Sequence, residues 1–206
     1  MPSIKVFGIC NLEDAEKAVS LGADYLGFIF AESARQVSAA DARQIKRKLK
    51  GETKFVAVFR NQDPRFINDT AEVLGLDFVQ LHGDESPEDC RQISKPVIKA
   101  IELVPAAASL ARLSEYAVHA FLFDRPKSLA GDNQWLEQII TQYATQLQDW
   151  QPFFIAGGLN AENVQLACSL HPFGIDVASG VESEPGKKDH KKLEAFFQAV
   201  QGATAC

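Results

Sequence analysis

Eight short, nearly all-apolar segments alternate strictly with eight stretches of helical spacing, and no linker, low-complexity run or change of composition interrupts them. These observations predict an α/β protein, a (β/α)8 barrel of the TIM class built as a single domain over residues 1–206. Runs without polar alternation suit parallel strands covered on both faces. Successive βα units imply right-handed crossovers. An open doubly wound sheet is the competitor. It usually has fewer units and a Gly-rich turn after its first strand, and Gly8-Ile9-Cys10-Asn11 is not such a turn.

The first strand is Ser3–Gly8, followed by a helix over Leu12–Leu21. Leu12, Ala15, Ala18 and Val19 share one face of that helix, with Glu13 and Lys17 opposite. Gly22 stands where the helix should stop. The later strands are Tyr25–Phe30, Lys54–Phe59, Phe78–Leu81, Val97–Ala100, Ala120–Phe123, Pro152–Ile155 and Ile175–Val177. The helices between and after them are Ser38–Leu49, Pro64–Leu74, Ser86–Ile93, Ala106–Ser114, Asn133–Leu147, Ala161–Leu170 and Lys188–Val200.

Composition narrows the function. Hydrophobic residues make up 46% of the chain, enough for a substantial core. The formal charge is −6, and no cluster of Lys and Arg stands out, so a nucleic-acid partner is not expected. A compact anion remains feasible, because backbone amides can hold a phosphate. The cysteines Cys10, Cys90, Cys168 and Cys206 form no C-x-x-C pair, which argues against a zinc site or a disulfide framework and for free thiols in a reducing cytoplasm. No signal peptide or membrane-length apolar run is present in the sequence, so neither a membrane partner nor a secreted location is expected.

In a barrel of this kind the βα loops at the C-terminal ends of the strands carry the chemistry. Gly157 and Gly158 follow strand seven, with Asn160 placed to cap the next helix; Ser179 and Gly180 follow strand eight. A Gly-Gly pair alone could close a tight turn, but the two loops together predict a phosphate site. Asp124 ends the run Ala120-Phe121-Leu122-Phe123, and a carboxylate there is costly unless solvated or used, either in catalysis or in turn contacts with Arg125. Asp176, flanked by Ile175 and Val177, could orient a ligand or support a neighbour. His82, after strand four, suits hydrogen bonding to substrate more than proton abstraction. Arg35 suits recognition of a carboxylate. His119, His171 and His190 show no paired spacing and are read as structural or exposed.

The motifs Lys5-x-x-Gly8-Ile9, Glu13-Asp14-Ala15, Gly22-Ala23-Asp24-Tyr25-Leu26-Gly27-Phe28, Ser33-x-Arg35, Gln80-Leu81-His82-Gly83-Asp84-Glu85, Ala156-Gly157-Gly158-Leu159, Asp176-Val177-Ala178-Ser179-Gly180-Val181-Glu182 and Pro185-Gly186-Lys187-Lys188-Asp189 run nearly end to end. In these the chain resembles the phosphoribosylanthranilate isomerases of tryptophan biosynthesis. The resemblance implies an Amadori rearrangement of N-(5-phosphoribosyl)anthranilate to 1-(2-carboxyphenylamino)-1-deoxyribulose 5-phosphate, with no metal or organic cofactor. An acid opens the ribose ring, and a base then removes the proton at C2. By resemblance Asp124 is the acid, and Arg35 holds the anthranilate carboxylate. Gly157, Gly158, Ser179 and Gly180 hold the phosphate, while His82 and Asp176 line the pocket. It also implies a cytoplasmic protein, either monomer or homodimer, whose partner is a small phosphosugar.

Two stretches depart from that pattern. The family's general base is the Cys of Lys-Ile-Cys-Gly-Ile-Thr, and Phe7 stands there in this chain. Cys10 falls at the Thr, three residues on, roughly 10 Å along an extended backbone. It is the nearest thiol for a relocated base, with His82 behind it. Loop six reads Ala130-Gly131-Asp132-Asn133 and is shortened. Phe has no titratable proton, so the alternative is a paralogue that binds or transforms another phosphosugar.

Overall fold

The computed structural model describes residues 1–104, 110–131, 134–150 and 152–203. Strands β1 (Ser3–Phe7), β2 (Tyr25–Ile29), β3 (Lys54–Phe59), β4 (Phe78–Leu81), β5 (Val97–Glu102), β6 (Ala120–Asp124), β7 (Phe153–Ile155) and β8 (Gly174–Val177) pair in chain order. All eight junctions are parallel, and β1 pairs with β8 to close the barrel. The expected topology and strand positions hold, with ends shifted by one or two residues.

The helices are α1 (Leu12–Ser20), α2 (Ala39–Lys48), α3 (Pro64–Leu74), α4 (Pro87–Arg91), α5 (Trp135–Gln148), α6 (Val164–Cys168) and α7 (His190–Ala203). Their starts follow from short polar caps. Asn11, Ser38 and Asp63 each accept a backbone N–H of the first turn, and Ser86 with Asp89 forms a reciprocal capping box. Helix α1 ends just before Gly22, which takes φ +96°, a conformation Gly adopts without strain.

Three expectations are corrected. The fifth helical segment is a 3-10 helix over Leu110–Glu115 where it is described, and residues 106–109 of the expected helix lie outside the described residues. The expected helix Ala161–Leu170 is only five residues long, because Asn160 first accepts from the N–H groups of Glu162 and Asn163 and tightens the chain into a turn. After β8, strands β9 (Glu182–Glu184) and β10 (Lys187–Lys188) form an antiparallel hairpin that periodicity did not suggest, since it is too short to show any.

Side chains divide into two packed layers. Ile4, Val6, Leu26, Phe28, Phe123 and Phe153 point outward to the helices. Tyr25, Val56, Phe78, Ile98, Ala100, Ala120, Leu122, Phe154 and Ala156 fill the barrel interior. The interior contains aromatic rings, with Tyr25 edge-on to both Phe78 and Phe154. Toward the mouth several inward-facing positions are polar, among them Lys5, Gln80 and Asp176.

Candidate active site

Alternation along β1 sends Lys5 and Phe7 inward while Ile4 and Val6 pack outward. The same alternation carries Gln80 and Asp176 inward on β4 and β8, and puts Asp124 at the end of β6. Lys5 and Gln80 are fully buried, and Asp176 is nearly so. Lys5 Nζ donates to Gln80 Oε1 and, at 3.1 Å, to Asp176 Oδ2. Gln80 Nε2 lies 3.0 Å from His82 Nδ1, and His82 Nε2 lies 3.2 Å from Asp124 Oδ2. Asp124 Oδ1 accepts from the Arg125 backbone N–H at 2.7 Å. A continuous polar chain thus crosses the mouth from β8 through β1 and β4 to β6.

Burial lowers the Lys5 pKa and raises that of Asp176, each against the attraction of the other's charge. Among the described residues Asp176 Oδ1, which is buried, finds no hydrogen-bond partner, which is unusual for a carboxylate oxygen and matches a group that meets a ligand.

Phe7 is half-buried at the mouth. Lys5 Nζ sits 5.3 Å from its ring centroid, and the ring fills the space beside Gly27. A Cβ on Gly27 would lie 2.5 Å from Phe7 Cδ2, so the glycine makes room for the ring. The ring therefore occupies an inward position, beside the ionisable groups.

Cys10 is elsewhere. Its thiol donates to the carbonyls of Arg35 (3.3 Å) and Gly8 (3.6 Å), and its Sγ packs close to Gly186. Burial pushes its pKa up, the reverse of what an activated thiolate needs.

Arg35 forks onto Glu182, with Nε 2.9 and 3.0 Å from the two carboxylate oxygens and Nη2 2.7 Å from Oε2. This leaves the Nη1 edge outside these bonds. Lys188 Nζ, buried, joins Glu182 at 2.9 Å and donates to Phe7 O at 2.6 Å and Ala178 O at 3.3 Å. The end of β1, the loop after β2 and the hairpin after β8 are thereby tied together. Burial works to raise the Glu182 pKa, but the hydrogen bonds from Arg35 and the Lys188 charge outweigh it and hold the carboxylate below its ordinary range.

The glycine loops meet. Gly157 and Gly158 take φ +101° and +74°. A Cβ on Gly158 would lie 2.4 Å from Arg125 Nη2, and one on Gly180 would lie 1.8 Å from the Leu159 carbonyl oxygen. The backbone oxygen of Leu159 leaves room only for glycine at 180, and the positive φ of Gly158 favours glycine there. Ser179 opens a 3-10 turn over Ser179–Val181 beside this junction. A cleft of about 410 Å³ also opens from His82 toward Arg60, Lys99 and Tyr116.

The structure thus brings His82, Asp124 and Asp176 into one network, and Gly157, Gly158 and Gly180 into one junction. Arg35 lies on the hairpin side with Cys10. Asp132 and Asn133 of the shortened loop, and Cys206, lie outside the described residues. Sequence reasoning gave no role to Lys5, Gln80 or Lys188, and named Arg125 only as a turn partner of Asp124, the contact its backbone N–H makes. The signal for the first two was there, a Lys in Ile4-Lys5-Val6 and a Gln in Val79-Gln80-Leu81, each a polar side chain inside an otherwise apolar strand. Among the remaining histidines, His190 Nε2 sits 2.9 Å from Asp14 Oδ1, and the His119 ring packs on Phe78.

A family model described as N-(5'phosphoribosyl)anthranilate (PRA) isomerase matches residues 4–199. The N-(5'-phosphoribosyl)anthranilate isomerase of Pelobacter propionicus is 41% identical over 205 residues, covering 98% of this chain and 96% of that protein. The crystal structure of phosphoribosyl anthranilate isomerase from Thermotoga maritima superposes with a TM-score of 0.88 at 37% identity, covering 98% of this chain and 100% of that one. A structure of such an isomerase in complex with reduced 1-(o-carboxyphenylamino)-1-deoxyribulose 5-phosphate matches with a TM-score of 0.84 at 37% identity, again over 98% and 100% of the two chains. With a closed eight-stranded barrel, an Asp at the mouth of β6 and paired glycine loops after β7 and β8, the chain belongs to the N-(5'-phosphoribosyl)anthranilate isomerase family.

Proposed function

We propose that this protein catalyses the Amadori rearrangement of N-(5-phosphoribosyl)anthranilate to 1-(2-carboxyphenylamino)-1-deoxyribulose 5-phosphate, a cytoplasmic step of tryptophan biosynthesis that needs no cofactor. The observation that carries this reading is the Asp124 carboxyl, held at the mouth between His82 and the Arg125 N–H, with the glycine junction of Gly157, Gly158 and Gly180 beside it. In this reading the junction and Ser179 hold the phosphate through backbone N–H groups. Arg35 offers its Nη1 edge to the anthranilate carboxylate. Asp176 Oδ1, the orphaned oxygen, takes a sugar hydroxyl.

Asp124 protonates the ring oxygen, and the C1–O bond opens to the Schiff base. Phe7 cannot take the C2 proton, and the Cys10 thiol is engaged by two backbone carbonyls and made less acidic by burial. The Asp124 carboxylate left by the first transfer is the group at the mouth suited to accept that proton, which returns Asp124 to its starting state. One residue then serves both steps, at a rate about 10²–10⁴-fold below that of a site with a separate base.

Phe7 favours one second reading, a barrel that binds a phosphosugar without isomerising it. Turnover of phosphoribosylanthranilate generated in situ, followed on the wild type and on Asp124→Asn, separates the two. Measurable turnover that Asp124→Asn abolishes supports the isomerase. A wild type at the uncatalysed rate that still binds the product analogue supports the binder. The residues given roles at the mouth all come from one chain.

A further inference from the structure

The polar chain across the mouth has a direction, set by which groups can donate and which can accept. We infer that Gln80, oriented by Lys5, is a positioning residue that fixes His82 as the tautomer protonated on Nε2 and aims that N–H at Asp124.

The argument starts at the buried end. An ammonium has donors and no acceptor. Lys5 Nζ therefore meets Gln80 through the amide oxygen, as it meets Asp176 through a carboxylate oxygen. Reversing the amide would set an NH2 group against the ammonium, donor against donor, with both side chains fully buried. With the oxygen turned to Lys5, the amide presents its NH2 to His82, at 3.0 Å from Nδ1. An amide nitrogen accepts no hydrogen bond, so Nδ1 must be the acceptor and the ring proton must lie on Nε2. Nε2 is 3.2 Å from Asp124 Oδ2, so the N–H points at the carboxyl group.

Two consequences follow for the reaction, and both rest on the function proposed above. First, a ring whose Nδ1 is occupied by an N–H donor has no position left for another proton, which removes His82 as the base for C2. Second, Asp124 is gripped at Oδ2 by His82 and at Oδ1 by the Arg125 N–H, which fixes the carboxyl plane for proton transfer. Gln80 and Lys5, two and three links away from Asp124, act on it through that grip.

The test needs no substrate. The full chain is labelled with 15N, and its histidine ring nitrogens are recorded by long-range 1H–15N correlation at neutral pH. His82 is assigned by the signals lost in His82→Asn. The expected pattern is an unprotonated Nδ1 and a protonated Nε2. In Gln80→Glu the carboxylate offers Nδ1 an acceptor, and the Nδ1 resonance is expected to move to the protonated position. A wild-type His82 protonated on Nδ1 overturns the inference. A folded Gln80→Glu protein with both His82 nitrogen shifts unchanged also overturns it. If Gln80→Glu does not fold, the wild-type spectrum decides alone. The isomerase assay and this spectrum fail separately, because the tautomer is read without turnover.

Discussion

The two halves of the barrel mouth are built from different materials. The half over β7 and β8 is backbone. Gly157 and Gly158 hold positive φ, and Gly180 lies so close to the Leu159 carbonyl that no side chain fits. The half over β1, β4 and β6 is side chain, a single file of Lys5, Gln80, His82 and Asp124 with Phe7 inserted beside it. A backbone site depends on chain conformation and withstands most changes of side-chain chemistry around it. A side-chain site depends on particular atoms, so one substitution can remove a step while the fold is untouched. On the function proposed above, Phe7 is such a substitution. Its ring is accommodated by the missing Cβ of Gly27, and the register of β1 with β2 and β8 is regular around it.

The largest expected effect comes from placing a thiol at that position. Phe7→Cys should raise turnover about 10²–10⁴-fold, since a thiol at an inward position beside Lys5 supplies a separate base. Steady-state kinetics on both proteins reads this directly. An unchanged rate would mean that the side-chain half is limited elsewhere, and the contrast drawn between the halves would break. Asp124→Asn should lose activity over a similar range while inorganic phosphate still binds the glycine junction with its wild-type affinity.

Next is the clamp joining the halves. Glu182→Gln leaves buried Lys188 and the fork of Arg35 facing a neutral amide, and should cost about 3 kcal/mol, seen by denaturant unfolding. The sign of its pH dependence follows from the lowered pKa of Glu182. The stabilisation is fully present above the ordinary carboxylate pKa and is lost as pH falls through the lower folded value. Thermal midpoints across the acid range should therefore fall more steeply for the wild type than for Glu182→Gln.

Gly180→Ala should cost about 1–3 kcal/mol from the clash with Leu159 and weaken binding of inorganic phosphate, measured calorimetrically. This effect belongs to the backbone half alone and should leave the tautomer of His82 unchanged. Smallest is Cys10→Ala, expected to cost about 1 kcal/mol from the lost sulfur contacts and to leave turnover at the wild-type value. A large loss of turnover would return Cys10 to the role of base.

The amino-acid sequence by itself determined the alternation of eight strands and helices, the glycines that end or bend them, and the family. These are local properties. An apolar run reads as a buried strand, a cap as a helix start and a Gly-Gly pair as a turn, whatever lies across the barrel. Where local signals ran short, so did the prediction. The five-residue α6 and the hairpin of β9 and β10 are too short to carry a period. What only the tertiary structure decided is which polar groups meet. Lys5 reaches Asp176 across 171 positions of sequence, and Arg35 reaches Glu182 across 147. Such pairs are set by the register in which the strands close, and that register is a property of the whole barrel. The meaning of Phe7 and Cys10 divides the same way. The residues are plain in the sequence, but only barrel closure turned the ring inward beside Lys5 and left the thiol on the backbone of Gly8 and Arg35.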